Sequence, residues 1–114
     1  MSDCLFCKMA SDEIPVPKVF ENDKVIVIRD INPQAPYHLL AIPRAHFSAI
    51  HDVPSDGNSL YEALFSAVRT VVHNEELADK GYRLVINSGS TAGQSVDHIH
   101  VHILSGRQLH WPPG

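Results

Sequence analysis

From Ser59 onward the apolar positions recur every three or four residues. Leu60, Ala63, Leu64, Ala67, Val68, Val71 and Val72 share one face of a helix, while Glu62, Arg69 and Glu76 point elsewhere. Ser59 with Glu62 three residues on is a capping-box pattern, and Lys80-Gly81 supplies a glycine able to take the left-handed conformation that ends helices. On either side of that segment the period changes. Val16 to Phe20 and Lys24 to Arg29 have strand composition around a hairpin turn at Glu21-Asn22-Asp23, and His38 to Pro43 is the next strand. Between them, Asp30-Ile31-Asn32-Pro33-Gln34-Ala35-Pro36 is interrupted by prolines, cannot supply a regular row of donors, and reads as a loop. Tyr82 to Asn87 is a further strand, Ser88 to Ser95 a loop, and about Asp97 to Leu104 the last strand. Residues 4–10 predict a short helix. A tight hairpin, one long helix and no regular strand–helix alternation predict an α+β domain, an antiparallel sheet with helix on one face.

Length allows one such domain, spanning residues 1–114, around a single core. Hydrophobic residues make up 44% and charged residues 19%, a globular balance, and no apolar run approaches the ~18 residues of a membrane span. The net charge of −4 argues against nucleic acid or an anionic membrane as partner, because both require dense positive charge. A single phosphate group needs only a few directed donors and stays open as a ligand. Met1-Ser2-Asp3-Cys4 lacks the basic and apolar regions of a signal peptide, and two cysteines spaced C-x-x-C do not make a disulfide scaffold, so a cytoplasmic location is expected.

Eight histidines are the anomaly in this composition. Three of them alternate with branched aliphatic residues in Asp97-His98-Ile99-His100-Val101-His102-Ile103-Leu104, so the imidazoles share one face of a strand and Ile99, Val101 and Ile103 share the other. Such a face has three uses: a plain polar surface, a metal site, or a nucleophile with supporting groups. Alternate residues sit ~6.6 Å apart along a strand, so His98 and His102, ~13 Å apart, cannot ligate one ion, although an adjacent pair could.

This run resembles the signature of the histidine triad family of nucleotide hydrolases and transferases. The resemblance extends over essentially the whole chain, through Asp30 to Pro36, Gly81-Tyr82-Arg83, Gly93-Gln94-Ser95 and the closing Gly106-Arg107-Gln108-Leu109-His110-Trp111-Pro112-Pro113-Gly114. These segments are similar to the histidine triad nucleotide-binding protein branch, the purine nucleoside phosphoramidases. The resemblance implies a five-stranded antiparallel sheet, with one long and one short N-terminal helix, continued across a homodimer. It implies purine nucleoside monophosphates and phosphoramidates as ligands and a nucleotidyl-histidine intermediate. Hydrolysis of dinucleoside polyphosphates, or nucleotide sensing with incidental hydrolysis, are the alternatives.

The resemblance also assigns roles. His100 is the nucleophile, its tautomer fixed by the main-chain carbonyl of His98; His102 faces the phosphate and His38 completes the polar network behind it. Asn87, Gly93, Gln94 and Ser95 form the phosphate-binding segment, in which glycines let backbone amides approach an anion and Ser95 protonates the leaving nitrogen. There is no Gly-Lys-Ser/Thr and a strand follows the loop, so a requirement for magnesium is not expected. Asp30 accepts from the ribose hydroxyls, an acceptor-only carboxylate, while Leu5, Phe6, Met9, Ile28, Ile31 and Leu40 form the base slot. Ile28 stands where the branch has an aromatic residue. Cys4 and Cys7 with His46 and His98 are implied to form a structural zinc site. Trp111 is implied to contact the leaving group across the dimer. The tail's two final prolines exclude ladder structure, and its large aromatic predicts that it docks. His51 and His73 are expected to be solvated.

Overall fold

The computed structural model describes residues 3–114. Its elements are helix α1 (Leu5–Ala10), strands β1 (Phe20–Glu21), β2 (Val25–Arg29) and β3 (Tyr37–Pro43), helix α2 (Ser59–Asn74), and strands β4 (Tyr82–Val85) and β5 (Val101–Ser105). Single turns of 3-10 helix lie at Ile50–Asp52 and Ser90–Ala92. The five strands form one sheet in the order β1-β2-β3-β5-β4, every pair antiparallel, as the sequence predicts.

Period two gives the sheet two apolar faces. Val25, Val27, Leu39, Ala41, Val101 and Ile103 pack against Leu64, Ala67, Val68, Val71 and Val72 of α2, so the helical stripe read from sequence is the stripe that is buried. Ile26, Ile28, Leu40 and Ile42 point the other way and are covered at one end by Phe6 and Ala10 of α1. The rest of this second face carries the histidines. The hairpin is held by Asn22, whose side-chain oxygen accepts from the amides of Lys24 and Val25 (2.9 and 2.8 Å), an Asx turn.

Several element ends differ from expectation. The first strand is two residues instead of Val16 to Phe20, because Pro15 and Pro17 bring no N–H; only Val19 still donates to the Val27 carbonyl (2.8 Å). The fourth stops at Val85, not Asn87. At α2, Asn58 takes the N-cap position and no side chain caps it, so the Ser59–Glu62 capping box does not form. The helix ends at Asn74 rather than near Gly81: Glu76 adopts φ 57° while Leu77 N–H donates to Val72 O (2.9 Å) and Glu76 N–H to His73 O (3.1 Å). That is a Schellman motif without glycine, clamped by the contact of buried Leu77 with the core.

The last strand begins at Val101, not Asp97. In the β3–β5 register Ala41 faces Val101, which sets Pro43 opposite Ile99. Proline has no hydrogen to offer, the ladder stops, and Ile99 N–H turns to Phe47 O (2.9 Å). The alternation of faces persists through this irregular stretch. Ile99 joins the α2-side core, while His98 and His100 are buried on the α1 side.

Candidate active site and metal centre

A cavity of about 220 Å³ opens on the histidine face between α1 and the loop after β2. Leu5, Phe6, Met9, Ile28, Asp30, Ile31, Leu40, Ser95, His100 and His102 all line it, with Val16, Arg29 and Val96, which the sequence reading did not include. Val16 is the one with a readable signal, an apolar residue between two prolines where no ladder can use it. Ile31 is 98% exposed at the rim, an apolar side chain that none of the described residues covers.

Hydrogen bonds fix each imidazole. The Gln34 amide donates to His38 Nδ1 (3.0 Å), so the neutral His38 ring carries its proton on Nε2. That nitrogen lies 2.9 Å from His102 Nδ1, which must accept, and 3.4 Å from Asp30 Oδ2. His102 in turn offers Nε2–H to the cavity it lines. Burial, with the neighbouring His100 and His38 adding to it, lowers the His102 pKa to about 4 despite Asp30, so the ring is uncharged at neutral pH and acts as a hydrogen-bond donor. Burial lowers His38 too, Asp30 opposing. His100 donates Nδ1–H to the His98 carbonyl (2.7 Å), a tautomer whose neutral ring has its lone pair on Nε2, and the residue lines the cavity.

His98 is fully buried and serves a second centre. Its Nε2–H donates to Pro43 O (2.7 Å), the carbonyl at the end of the interrupted ladder, and Nδ1 is turned toward Cys4 Sγ (3.4 Å), Cys7 Sγ (3.6 Å) and His46 Nδ1 (3.0 Å). Burial lowers its pKa, favouring the neutral ring that ligation requires. Around a tetrahedral zinc, N and S ligand atoms sit roughly 3.3–3.8 Å apart, so this set fits the ion. Asp30, His38 and His102 also bring three ligand atoms within 4.8 Å of one another. They do not fit a cation in the same way, because the Gln34 amide commits His38 Nε2 to carrying the proton. The first cluster could hold a metal ion, and the second is a proton-ordered chain.

The loop before β5 is braced from inside. Buried Gln94 accepts from Gly89 N–H (2.8 Å) and donates to the carbonyls of Ser48 (2.6 Å) and Val96 (3.0 Å), so its side chain shapes the loop and is spent within the chain. Gly89 and Gly93 have φ of 90° and 96°, and a Cβ on Gly93 would lie 3.7 Å from Asn87 Nδ2, which places the Asn87 amide against the turn. Neither Asn87 nor Gly93 lines the cavity itself. Asp30 has two tasks: Oδ1 accepts from Asn32 N–H (2.8 Å), closing the loop, while Oδ2 faces His38.

The tail lacks regular structure, as expected, but does not dock within the chain. Trp111 is 82% exposed, although Arg83 holds the His110 carbonyl (3.0 Å) and Arg107 holds that of Gln34 (2.9 Å). His51 and His73 are exposed.

A sheet of this order, with a locked imidazole beside a cavity and a Cys₂His₂ cluster behind it, defines a histidine-centred α+β domain, and comparison with known proteins gives its family. The model of the HIT domain matches residues 11–109, and the chain belongs to the HIT domain family. The fold superposes on a HIT family hydrolase from Legionella pneumophila Philadelphia 1 with a TM-score of 0.94 and 48% identity, covering 98% of this chain and 100% of that one. A histidine triad nucleotide-binding protein from Candida albicans gives 0.82 and 31%, covering 96% of this chain and 83% of that one. The "14 kDa zinc-binding protein" of Zea mays is 44% identical over 115 residues, 99% of this chain and 89% of its own.

Proposed function

We propose that this chain is a hydrolase of the P–N bond in purine nucleoside 5′-phosphoramidates. The observation that carries the reading is the bare Nε2 of His100, held in that tautomer by the His98 carbonyl beside an apolar cavity that also contains Asp30, Ser95 and His102. A buried imidazole locked in one tautomer is of little use to a protein that only binds nucleotide. The purine and the amine follow from the resemblance of the sequence, above all its tail.

The base lies in the slot of Leu5, Met9, Ile28 and Leu40 under Ile31, and the ribose hydroxyls donate to Asp30. His100 Nε2 attacks the α-phosphorus; the P–N bond breaks, its electron pair going to nitrogen, which takes a proton from Ser95. His102 Nε2–H donates to a phosphoryl oxygen throughout, without a formal charge. Water then attacks the phosphorus and gives a proton back to Ser95, the bond to His100 breaks with its electron pair returning to Nε2, and the nucleoside monophosphate leaves. Zinc held by Cys4, Cys7, His46 and His98 is structural and touches no reacting atom.

The working unit is a cytoplasmic homodimer. Its sheet continues through β4, an edge strand whose Tyr82 and Leu84 are exposed beside a groove of about 640 Å³ that contains none of the catalytic histidines. Trp111 of one chain finds cover on the other and meets the leaving amine at that chain's cavity. Turnover of an adenosine 5′-phosphoramidate beside diadenosine polyphosphates tests the reading: the phosphoramidate is expected to have the larger kcat/KM, and a preference for the polyphosphates overturns it.

A further inference from the structure

The metal centre and the nucleotide cavity are joined by one short element. Helix α1 has six residues, its N-cap Cys4 makes no side-chain capping bond, and its first turn holds no acidic residue. Isolated helices below ~12–15 residues do not persist in water, so the order of α1 comes from what it touches. Its Cys4 and Cys7 belong to the metal centre, with His46 and His98. Leu5, Phe6 and Met9 line the cavity with His100 and His102. Phe6 lies between the two cysteines, is 4% exposed, and meets His100 edge-on with ring centroids 4.9 Å apart. Leu5 is 41% exposed and gives the helix little anchorage.

We propose that metal occupancy of the Cys4–Cys7–His46–His98 site sets nucleotide affinity by holding α1 against the cavity, so that the metal centre controls the nucleotide site as well as stabilising the fold. The inference rests on reading the cavity as a nucleotide site. With metal bound, two ligands on the helix replace the missing cap and the Leu5–Phe6–Met9 wall is already built when nucleotide arrives. Without it, the nucleotide must order the helix as it binds, and the apparent affinity falls by the fraction of chains in which the wall is formed. The lock on His100 is separate, since it uses the His98 carbonyl, while the His98 ring keeps its bond to Pro43. Metal loss therefore raises KM and the dissociation constant of the product far more than it lowers kcat.

The test is calorimetric titration of adenosine monophosphate into zinc-loaded protein and into the same protein after chelation, with hydrogen exchange of amides 5–10 followed in parallel. The expected result is a dissociation constant at least tenfold higher without metal, restored by zinc, and faster exchange confined to α1 while β3 and β5 stay protected. Equal affinity in the two forms overturns the inference and leaves the hydrolase reading standing. Failure of the loaded protein to bind the nucleotide overturns the nucleotide reading and the inference with it. A metal-free pair guards against general unfolding: Cys4→Asp/Cys7→Ala restores a side-chain cap that Cys4→Ala/Cys7→Ala lacks. The aspartate variant is expected to bind several-fold more tightly, and equal affinity of the pair again overturns the inference.

Discussion

Each histidine's role is set by the partner of its second nitrogen, and three of those partners are backbone groups: Gln34 N–H for His38, the His98 carbonyl for His100, and the Pro43 carbonyl for His98. Alternation along residues 98–103 was enough to put the imidazoles on one face, but backbone partners leave no trace in residue identity, and the Gln34 and Pro43 contacts could not be read. The burial of His38, His98 and His102 makes stability depend on pH. In the unfolded chain His102 titrates near its ordinary 6.5, and in the fold near about 4, so between these values the unfolded state binds more protons. Stability therefore falls as pH drops from about 6.5 toward 4, then levels off for this group. His38 and His98, also lowered, add to it in the same direction. Urea unfolding of wild type and His102→Gln across that range checks the point: the wild type is expected to lose more stability on acidification, and parallel curves would contradict it.

At the scale of elements, the stripe on α2 was legible because burial and period coincide, whereas its end was not. The signal sought was a glycine, and the chain instead places Glu76 in the left-handed region, where a residue with a Cβ is disfavoured by roughly 1–2 kcal/mol. Glu76→Gly is therefore expected to raise stability by about 0.5–1 kcal/mol in chemical denaturation, part of the relief being offset by glycine's larger entropy loss; a loss of stability would mean that the Glu76 side chain holds the turn. The truncation of β5 was equally hidden, since it depends on Pro43 meeting Ile99 across strands, a register that no single segment carries. Helix α1 was foreseen from residues 4–10, and Cys4 at its N-cap and Cys7 within it assemble with His46 and His98 into one cluster. The purified protein is expected to carry about one zinc per chain by elemental analysis. Cys4→Ser is expected to lower the melting temperature more than it lowers kcat, as a closed structural site requires.

At the scale of the whole molecule, the antiparallel α+β sheet follows from local patterns, whereas its strand order does not, and the tail does not resolve within one chain. Trp111 is exposed and β4 is an edge of the sheet, and in the proposed homodimer a second copy of the chain would cover both. Deleting residues 111–114 is expected to leave a dimer by light scattering and nucleoside monophosphate affinity within a few-fold, while changing the ratio of kcat/KM between a small alkyl and an indole-bearing phosphoramidate. An unchanged ratio would remove the tail from leaving-group recognition. All of this depends on His100 forming a bond to phosphorus, and that bond can be caught. Wild type and His100→Ala are mixed with an adenosine phosphoramidate for milliseconds, quenched in alkaline denaturant, because P–N bonds hydrolyse in acid, and digested for mass spectrometry. The wild type should carry one nucleotidyl group on the peptide containing His100. The variant should carry none and turn over at least a thousandfold more slowly, while still binding the monophosphate. An adduct on any other residue, or a variant retaining more than a tenth of wild-type turnover, would contradict the mechanism.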